Sequence, residues 1–105
     1  MGLRAAEHVI RANRPGADLR LRVDLHGVSI FGPGQERTLI RWEWVEHIAG
    51  DGDVDVVSAK ARVHLPAGAF GLPPDKLRTL LEEARSPEKR ADVIAELSGR
   101  RTTAP

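Results

Sequence analysis

Apolar and polar residues alternate along several short runs of this chain, which is the pattern of β-strands that bury one face. The clearest run lies at 18–25, where apolar residues fall on every second position: Leu19, Leu21, Val23 and Leu25. Shorter runs of strand character follow at 28–31, 37–42, 54–57 and 61–65. Because short turns separate these runs, each strand is expected to pair with the one before it. The pattern predicts an antiparallel meander of five or six strands over 18–66, as a bent sheet or a partial barrel.

Helical periodicity is found on both sides of this meander. Near the N-terminus, apolar residues recur at helical spacing, at Leu3, Ala6, Val9 and Ile10, which predicts an amphipathic helix over 3–13. Toward the C-terminus, two helices are expected within 73–98, the first opened by Pro73-Pro74 and the second by Ser86-Pro87. Ser98-Gly99 is assigned as the C-cap of the second helix, and 100–105 as a flexible tail. The predicted fold class is therefore α+β, with one N-terminal helix and two C-terminal helices.

Both tryptophans lie in the segment 39–48, which follows the third predicted strand. Apolar residues at 40, 42, 45 and 48 indicate a strand that bends after Trp42. A regular strand would place Trp42 and Trp44, which are two residues apart, on one face, so the bend after Trp42 is what is expected to separate them. We therefore expect Trp42 in the core and treat Trp44 as a candidate anchor for a partner, because tryptophan is enriched in interface hot spots. The alternative is that Trp44 packs beneath one of the helices.

Turns rich in glycine and aspartate separate the strands. Gly27 follows His26 in the first turn and is assigned a positive φ, which glycine adopts without strain. In the turn after the tryptophans, acidic residues occupy the first ligand positions of an EF-hand, at Asp51, Asp53 and Asp55. The closing glutamate of such a loop would fall at Arg62, so a solvated hairpin turn is expected there instead.

Composition limits the chemistry that the chain can carry. Its 105 residues and formal net charge of +1 fit one globular domain, 1–105, without a field that attracts nucleic acid or membrane. The absence of cysteine excludes disulfides and thiolate chemistry, and the four histidines show no helical metal-binding spacing. No phosphate loop or nucleophile elbow is present. We expect a soluble cytoplasmic protein that is not an enzyme and holds neither a metal nor a cofactor.

Several motifs follow one another in a distinctive order over 18–85. They are VDLHGVSI at 23–30, IRW at 40–42, VEHI at 45–48, VHLP at 63–66, Phe70, and the leucine-rich 77–81. This order resembles that of the bacterial pleckstrin-homology-like domains. The resemblance implies a barrel closed by a helix that serves as a scaffold for peptides, partner proteins or lipid headgroups. The family barrel has seven strands, whereas five or six are predicted here, and the N-terminal helix and the second C-terminal helix have no counterpart.

The leading functional hypothesis is a non-catalytic interaction module that binds another protein or associates with itself. Its candidate surface comprises an exposed sheet edge and four apolar residues, Trp44, Val45, Val9 and Ile10. One alternative is a ligand-binding or enzymatic domain with a pocket between the sheet and the C-terminal helix. The other is a binder of anionic ligands, a lipid headgroup or nucleic acid, through the basic residues Arg20, Arg22, Lys60 and Arg62. Nucleic acid and membrane are not expected as partners, because the net charge is small and basic residues do not interleave with aromatic ones.

Overall fold

The structure, a computed structural model, describes residues 5–11, 18–32 and 37–101, with the backbone alone for 99–101. Its strands are β1 (Ala5–Ile10), β2 (Leu19–Asp24), β3 (Gly27–Phe31), β4 (Thr38–Arg41), β5 (His47–Ala49), β6 (Val54–Val57) and β7 (Arg62–Leu65). Its helices are α1 (Pro74–Ala84) and α2 (Pro87–Arg101). Short 3₁₀ turns lie at Trp42–Trp44 and Ala69–Gly71. The described residues therefore form an α+β fold.

The strands form two antiparallel sheets, with strand orders β1-β2-β3-β4 and β5-β6-β7. Strand β7 contacts β3 and β4, so the smaller sheet lies against the larger one. The prediction of five to six strands in one bent sheet is therefore wrong, because the described residues contain seven strands in two sheets. Two strands account for the difference: β1 was assigned to a helix, and β5 is a three-residue strand within the segment assigned to a bend.

The predicted N-terminal helix is also wrong where the structure describes it, because β1 pairs antiparallel with β2 over its whole length. Ala6 lies opposite Val23 and His8 opposite Leu21, both partners being buried core residues. The inward face of β1 thus carries a polar residue, His8, between two apolar ones. That histidine interrupts the period-two pattern, and the remaining apolar residues then fit a helical period equally well. Residues 3, 4, 12 and 13 of the predicted helix lie outside the described residues.

The two C-terminal helices are confirmed, and both bury apolar side chains. Helix α1 contributes Leu77, Leu81 and Ala84 to the core, and α2 contributes Val93, Ile94 and Leu97. Helix α2 continues to Arg101, so Gly99 is not its C-cap, and residues 102–105 lie outside the described part of the chain. The arginines after Gly99 favour this continuation, because arginine is a good helix former and a cation near a helix C-terminus is stabilising. No helix among the described residues combines the length and the apolarity needed to cross a bilayer.

The core joins the two sheets and the helices. Its strand residues are Ala6, Leu21, Val23, Val28, Ile40, Ile48, Val54, Val56, Val63 and Leu65. Gly27 begins β3 without a positive φ, contrary to expectation. The first turn is held instead by Asp24, whose Oδ1 accepts hydrogen bonds from the backbone N–H groups of His26 and Gly27 at 2.9 and 3.0 Å. A Cβ at Gly27 would overlap the carbonyl oxygen of Ile40, so glycine is needed there for close approach of β3 and β4.

Candidate protein-binding cleft

The corner between the two sheets separates the tryptophans. Within the 3₁₀ turn, Trp42 is 3% exposed and Trp44 is 55% exposed. Trp42 packs in the core, and its Nε1–H donates to the backbone carbonyl of Asp24 at 2.8 Å. Trp42 is in the core, as the apolar pattern indicates. The two side chains point in different directions because they lie on a tight turn and not on a strand. Trp44 is left as a large apolar side chain in solvent.

Arg41 holds this corner in place beside Trp44. Its guanidinium carbon lies 5.7 Å from the centre of the Trp44 ring, and its Nε donates to Oε2 of Glu43 at 3.1 Å. A cation stacked on an exposed indole contributes about 0.5–1 kcal/mol. Hydrogen bonds from the residue's own backbone N–H and from Arg41 hold the pKa of the Glu43 carboxyl below its usual value. The exposed ring therefore has a defined, charged neighbourhood.

A cleft of about 710 Å³ opens next to Trp44. One wall is the β4 corner, formed by Leu39 and residues 43–46, and the other is the β6–β7 turn, residues 58–61. Leu39, Trp44 and Val45 make the first wall largely apolar. Glu46 and Lys60 both line the cleft, and neither takes part in an ion pair within the described residues. The cleft can thus accept an apolar group and offers one free charge of each sign.

Hydrogen bonds fix both walls. In the β6–β7 turn, the backbone N–H of Ser58 donates to the Ala61 carbonyl at 2.9 Å, and the Ala61 N–H donates to the Ser58 hydroxyl at 3.0 Å. Beside the β4 corner, Arg85, which follows α1 directly, donates to the carbonyls of Val45 and Glu46 at 3.2 and 3.4 Å. Because the walls are tied to the fold, the cleft is largely preformed, which is typical of binding sites.

The apolar candidates from the sequence do not form one surface. Val45 borders the cleft with Trp44, although its side chain is mostly buried at 7% exposure. Val9 and Ile10 lie on β1, at the opposite end of the four-stranded sheet from β4. They are not on a helix face: as neighbours in a strand they point to opposite sides, and Ile10 packs against the core. Trp44 and Val45 are brought together, and Val9 and Ile10 are separate from them.

The basic candidates are divided between the sheets. Arg20 and Arg22 lie on the same face of β2, whereas Lys60 and Arg62 belong to the β6–β7 turn and β7. Arg22 already pairs with Glu7 at 2.9 Å and with Asp24 at 3.0 Å. The guanidinium of Arg20 lies 5.8 Å from the centre of the Phe31 ring. No strand pairing of the described residues places β2 beside β7, and the charge of Arg22 is used within the fold.

His64 closes the acidic turn that resembled a calcium loop. Its Nδ1 lies 2.8 Å from Oδ1 of Asp55, and its Nε2 lies 3.2 Å from Oδ2 of Asp53. Both ring nitrogens are thus directed at carboxylates of the neighbouring strand and turn. Across the ranges that the structure describes, no cluster of three or more histidine or acidic side chains is arranged to hold a metal ion.

Comparison with protein-family models and with curated proteins finds no match for this chain. The feature that sequence reasoning missed is the second wall of the cleft, at 58–61, because its position beside β4 follows from the packing of the two sheets. The stacking of Arg41 on Trp44 could have been proposed from the sequence, because the two residues are three positions apart across a predicted bend.

Proposed function

We propose that this protein is a non-catalytic, pleckstrin-homology-like interaction module that binds a linear segment of another protein in the Trp44 cleft. The observation that carries this proposal is the 55% exposure of Trp44 beside a preformed cleft. A tryptophan in solvent leaves a large apolar area in water, and burying it against a partner is favourable. Interface hot spots are enriched in tryptophan for the same reason.

The fold supports the family part of the proposal. The seven strands of the described residues equal the family number, whereas the sequence pattern indicated five or six. The segment assigned to an unmatched N-terminal helix is the first of these strands. Helix α1 follows the last strand and packs on β5 and β6, as a closing helix would. Of the two helices that were expected to have no counterpart in the family, only α2 is present as a helix.

The contents of the cleft favour binding over catalysis. Ser58 is its candidate nucleophile, but that hydroxyl is engaged with Ala61 in the turn. None of the described histidines lines the cleft, so its walls lack the side chain that most often acts as a general base. The cleft also lies at the β4 corner rather than between the sheet and the C-terminal helix, where a ligand pocket was the alternative.

Selection from a library of random linear peptides displayed on phage tests the proposal. Peptides enriched on the wild-type protein are then measured against two variants, Trp44→Ala and Leu25→Ala. Leu25 is the matched control, because it is a large apolar residue with 47% exposure in the turn between β2 and β3. We expect Trp44→Ala to weaken binding by about tenfold or more and Leu25→Ala to leave it unchanged. Failure to enrich any peptide, or equal binding to all three proteins, would overturn the proposal.

A further inference from the structure

The outer edge of β4, which borders the cleft at Leu39, carries unpaired backbone groups. The N–H of Trp42 donates to the carbonyl of His26 on the β3 side at 3.0 Å, which fixes the alternation of hydrogen bonds along β4. In an antiparallel pair, bonded and non-bonded residues alternate, so the N–H and C=O groups of Leu39 and Arg41 face away from β3. Among the described residues, no hydrogen bond reaches these groups.

Two of the other sheet edges are covered. Along β1, the Ser98 hydroxyl of α2 donates to the carbonyl of Ala5 at 3.2 Å. Beside β5, two arginines donate to backbone carbonyls just outside the ends of the strand: Arg85, which follows α1, to Val45, and Arg78 of α1 to Gly50. Strand β7 is followed directly by a proline, which cannot donate a backbone hydrogen bond. The edge of β4 differs because Leu39 lines an open cleft.

We infer that the partner's segment binds in an extended conformation and adds to β4 as a fifth strand of the larger sheet. This inference rests on the proposed function and specifies its binding mode. An added strand lies about 4.8 Å from its neighbour, and the edge of β4 borders the cleft at Leu39. The outward backbone groups of Leu39 and Arg41 form hydrogen bonds with the backbone of the added segment. Trp44 packs against side chains of that segment. Strand addition of this kind obtains affinity from the backbone and specificity from alternate side chains.

The charges of the cleft define the chemistry of this segment. Glu46 attracts a basic side chain, and Lys60 attracts an acidic one. Side chains of an extended segment alternate between faces, so apolar residues are expected between these charges. A second folded copy would approach β4 with its own corner and its own β6–β7 turn beside the edge. A linear segment without such flanking elements fits the cleft better, and we therefore assign the occupant as an extended, mixed-charge segment of another protein.

A backbone-methylation scan tests strand addition directly. The probe is the peptide most enriched on the wild-type protein in the library selection, resynthesised with a single N-methyl group at each position in turn. N-methylation removes one backbone donor, so we expect it to weaken binding by about tenfold or more at every second position. At the intervening positions, whose N–H groups face away from β4, binding should change by less than about threefold.

Amide hydrogen exchange locates the added strand on the protein. In the complex, the amides of Leu39 and Arg41 should exchange at least about tenfold more slowly, because they gain acceptors. The amide of Ile40, already bonded to β3, should change little and serves as the internal control. Protection at Arg62 and His64 in place of these amides would move the segment to β7 and overturn the assignment to β4.

The outcomes separate the inference from the proposed function. If Trp44→Ala abolishes binding while the methylation scan shows no period of two, strand addition is wrong and the Trp44 cleft stands. If Trp44→Ala has no effect, the proposed function fails whatever the scan shows. If the peptide-free protein dimerises and the protection of Leu39 and Arg41 rises with its concentration, the occupant is a second copy, and the assignment to another protein is overturned.

Discussion

The backbone N–H of Phe70 donates a hydrogen bond to Nδ1 of His8 at 2.6 Å, and the two rings lie 5.7 Å apart. This contact joins the first strand to the 3₁₀ turn before α1. Phe70 has a φ of 57°, a left-handed conformation that is uncommon for a residue other than glycine. The hydrogen bond from its N–H to His8 helps to hold that conformation in place.

Replacement of His8 should therefore destabilise the protein, and the loss should be larger when the new side chain cannot accept the hydrogen bond from the Phe70 N–H. His8→Ala leaves the Phe70 N–H without its partner, and we expect it to lower the free energy of unfolding by about 1–3 kcal/mol. His8→Asn is the matched variant, because the side-chain oxygen of asparagine can take the place of Nδ1, and its loss should be smaller. Urea unfolding measures both. Equal stability of the alanine variant and the wild type would contradict the role of this contact.

The Asp24 carboxyl should make folding sensitive to acid. Burial opposes its ionisation, but hydrogen bonds from the N–H groups of Gly27 and His26 and from Arg22 outweigh this and hold its pKa below the usual value. The folded protein then binds this proton more weakly than the unfolded chain. The resulting stabilisation is present in full above the unfolded-state pKa of about 3.9, and it is lost as pH falls through the lower folded-state pKa.

Asp24→Asn isolates this contribution, since asparagine can still accept the hydrogen bonds of the turn but cannot ionise. We expect the wild type to be the more stable protein at neutral pH and to lose more of its stability than the variant as the pH is lowered. Thermal unfolding over a series of acidic buffers gives the comparison. Parallel curves for the two proteins would show that Asp24 does not contribute to the pH dependence.

Gly27 should tolerate no side chain. A methyl group there meets the Ile40 carbonyl, so Gly27→Ala must separate β3 from β4 and is expected to cost about 1–3 kcal/mol. Gly52→Ala is the control, because an added Cβ at Gly52 meets nothing within 4 Å and the residue has no positive φ. Its effect should stay within about 0.5 kcal/mol. Chemical denaturation distinguishes the two, and similar midpoints would contradict the close approach of the strands.

The two tryptophans should report different environments by fluorescence. In Trp42→Phe the remaining Trp44 is exposed, so its emission should be shifted to the red and quenched readily by acrylamide. In Trp44→Phe the buried Trp42 should emit further to the blue and resist quenching. Trp42→Phe also removes the donor to the Asp24 carbonyl, which should lower stability by about 1 kcal/mol. Identical spectra from the two variants would rule out the described corner.

Elements with a clear local pattern of apolar residues could be predicted from the sequence, and elements that depend on contacts between distant segments could not. The alternation of β2 and the apolar stripes of both helices are local patterns, and each of these elements is present in the structure. Strand β1 was not predicted because His8 lies on its inward face, where its Nδ1 accepts a hydrogen bond from the distant Phe70 N–H. Its hydrogen-bond partner lies 62 residues away in the sequence.

The cleft was inaccessible to sequence reasoning for a similar reason. The exposure of Trp44 could be proposed from the bend, but the wall that faces it comes from the turn around Lys60. The approach of that turn to β4 depends on how the two sheets cross, which no local pattern encodes. The same holds for the edge of β4, because whether an edge is covered depends on the placement of the helices.

The contact between Ser98 and Ala5 has a consequence for synthesis on the ribosome. Of the described elements, β1 is synthesised before the others, and α2, whose Ser98 hydroxyl bonds to the β1 carbonyl, is synthesised after them. Until α2 has emerged, a nascent chain that has already formed the larger sheet exposes both of its edges, β1 and β4, and exposed edges promote aggregation. Stalling translation before α2 should therefore yield a chain that depends on chaperones far more than the finished protein does.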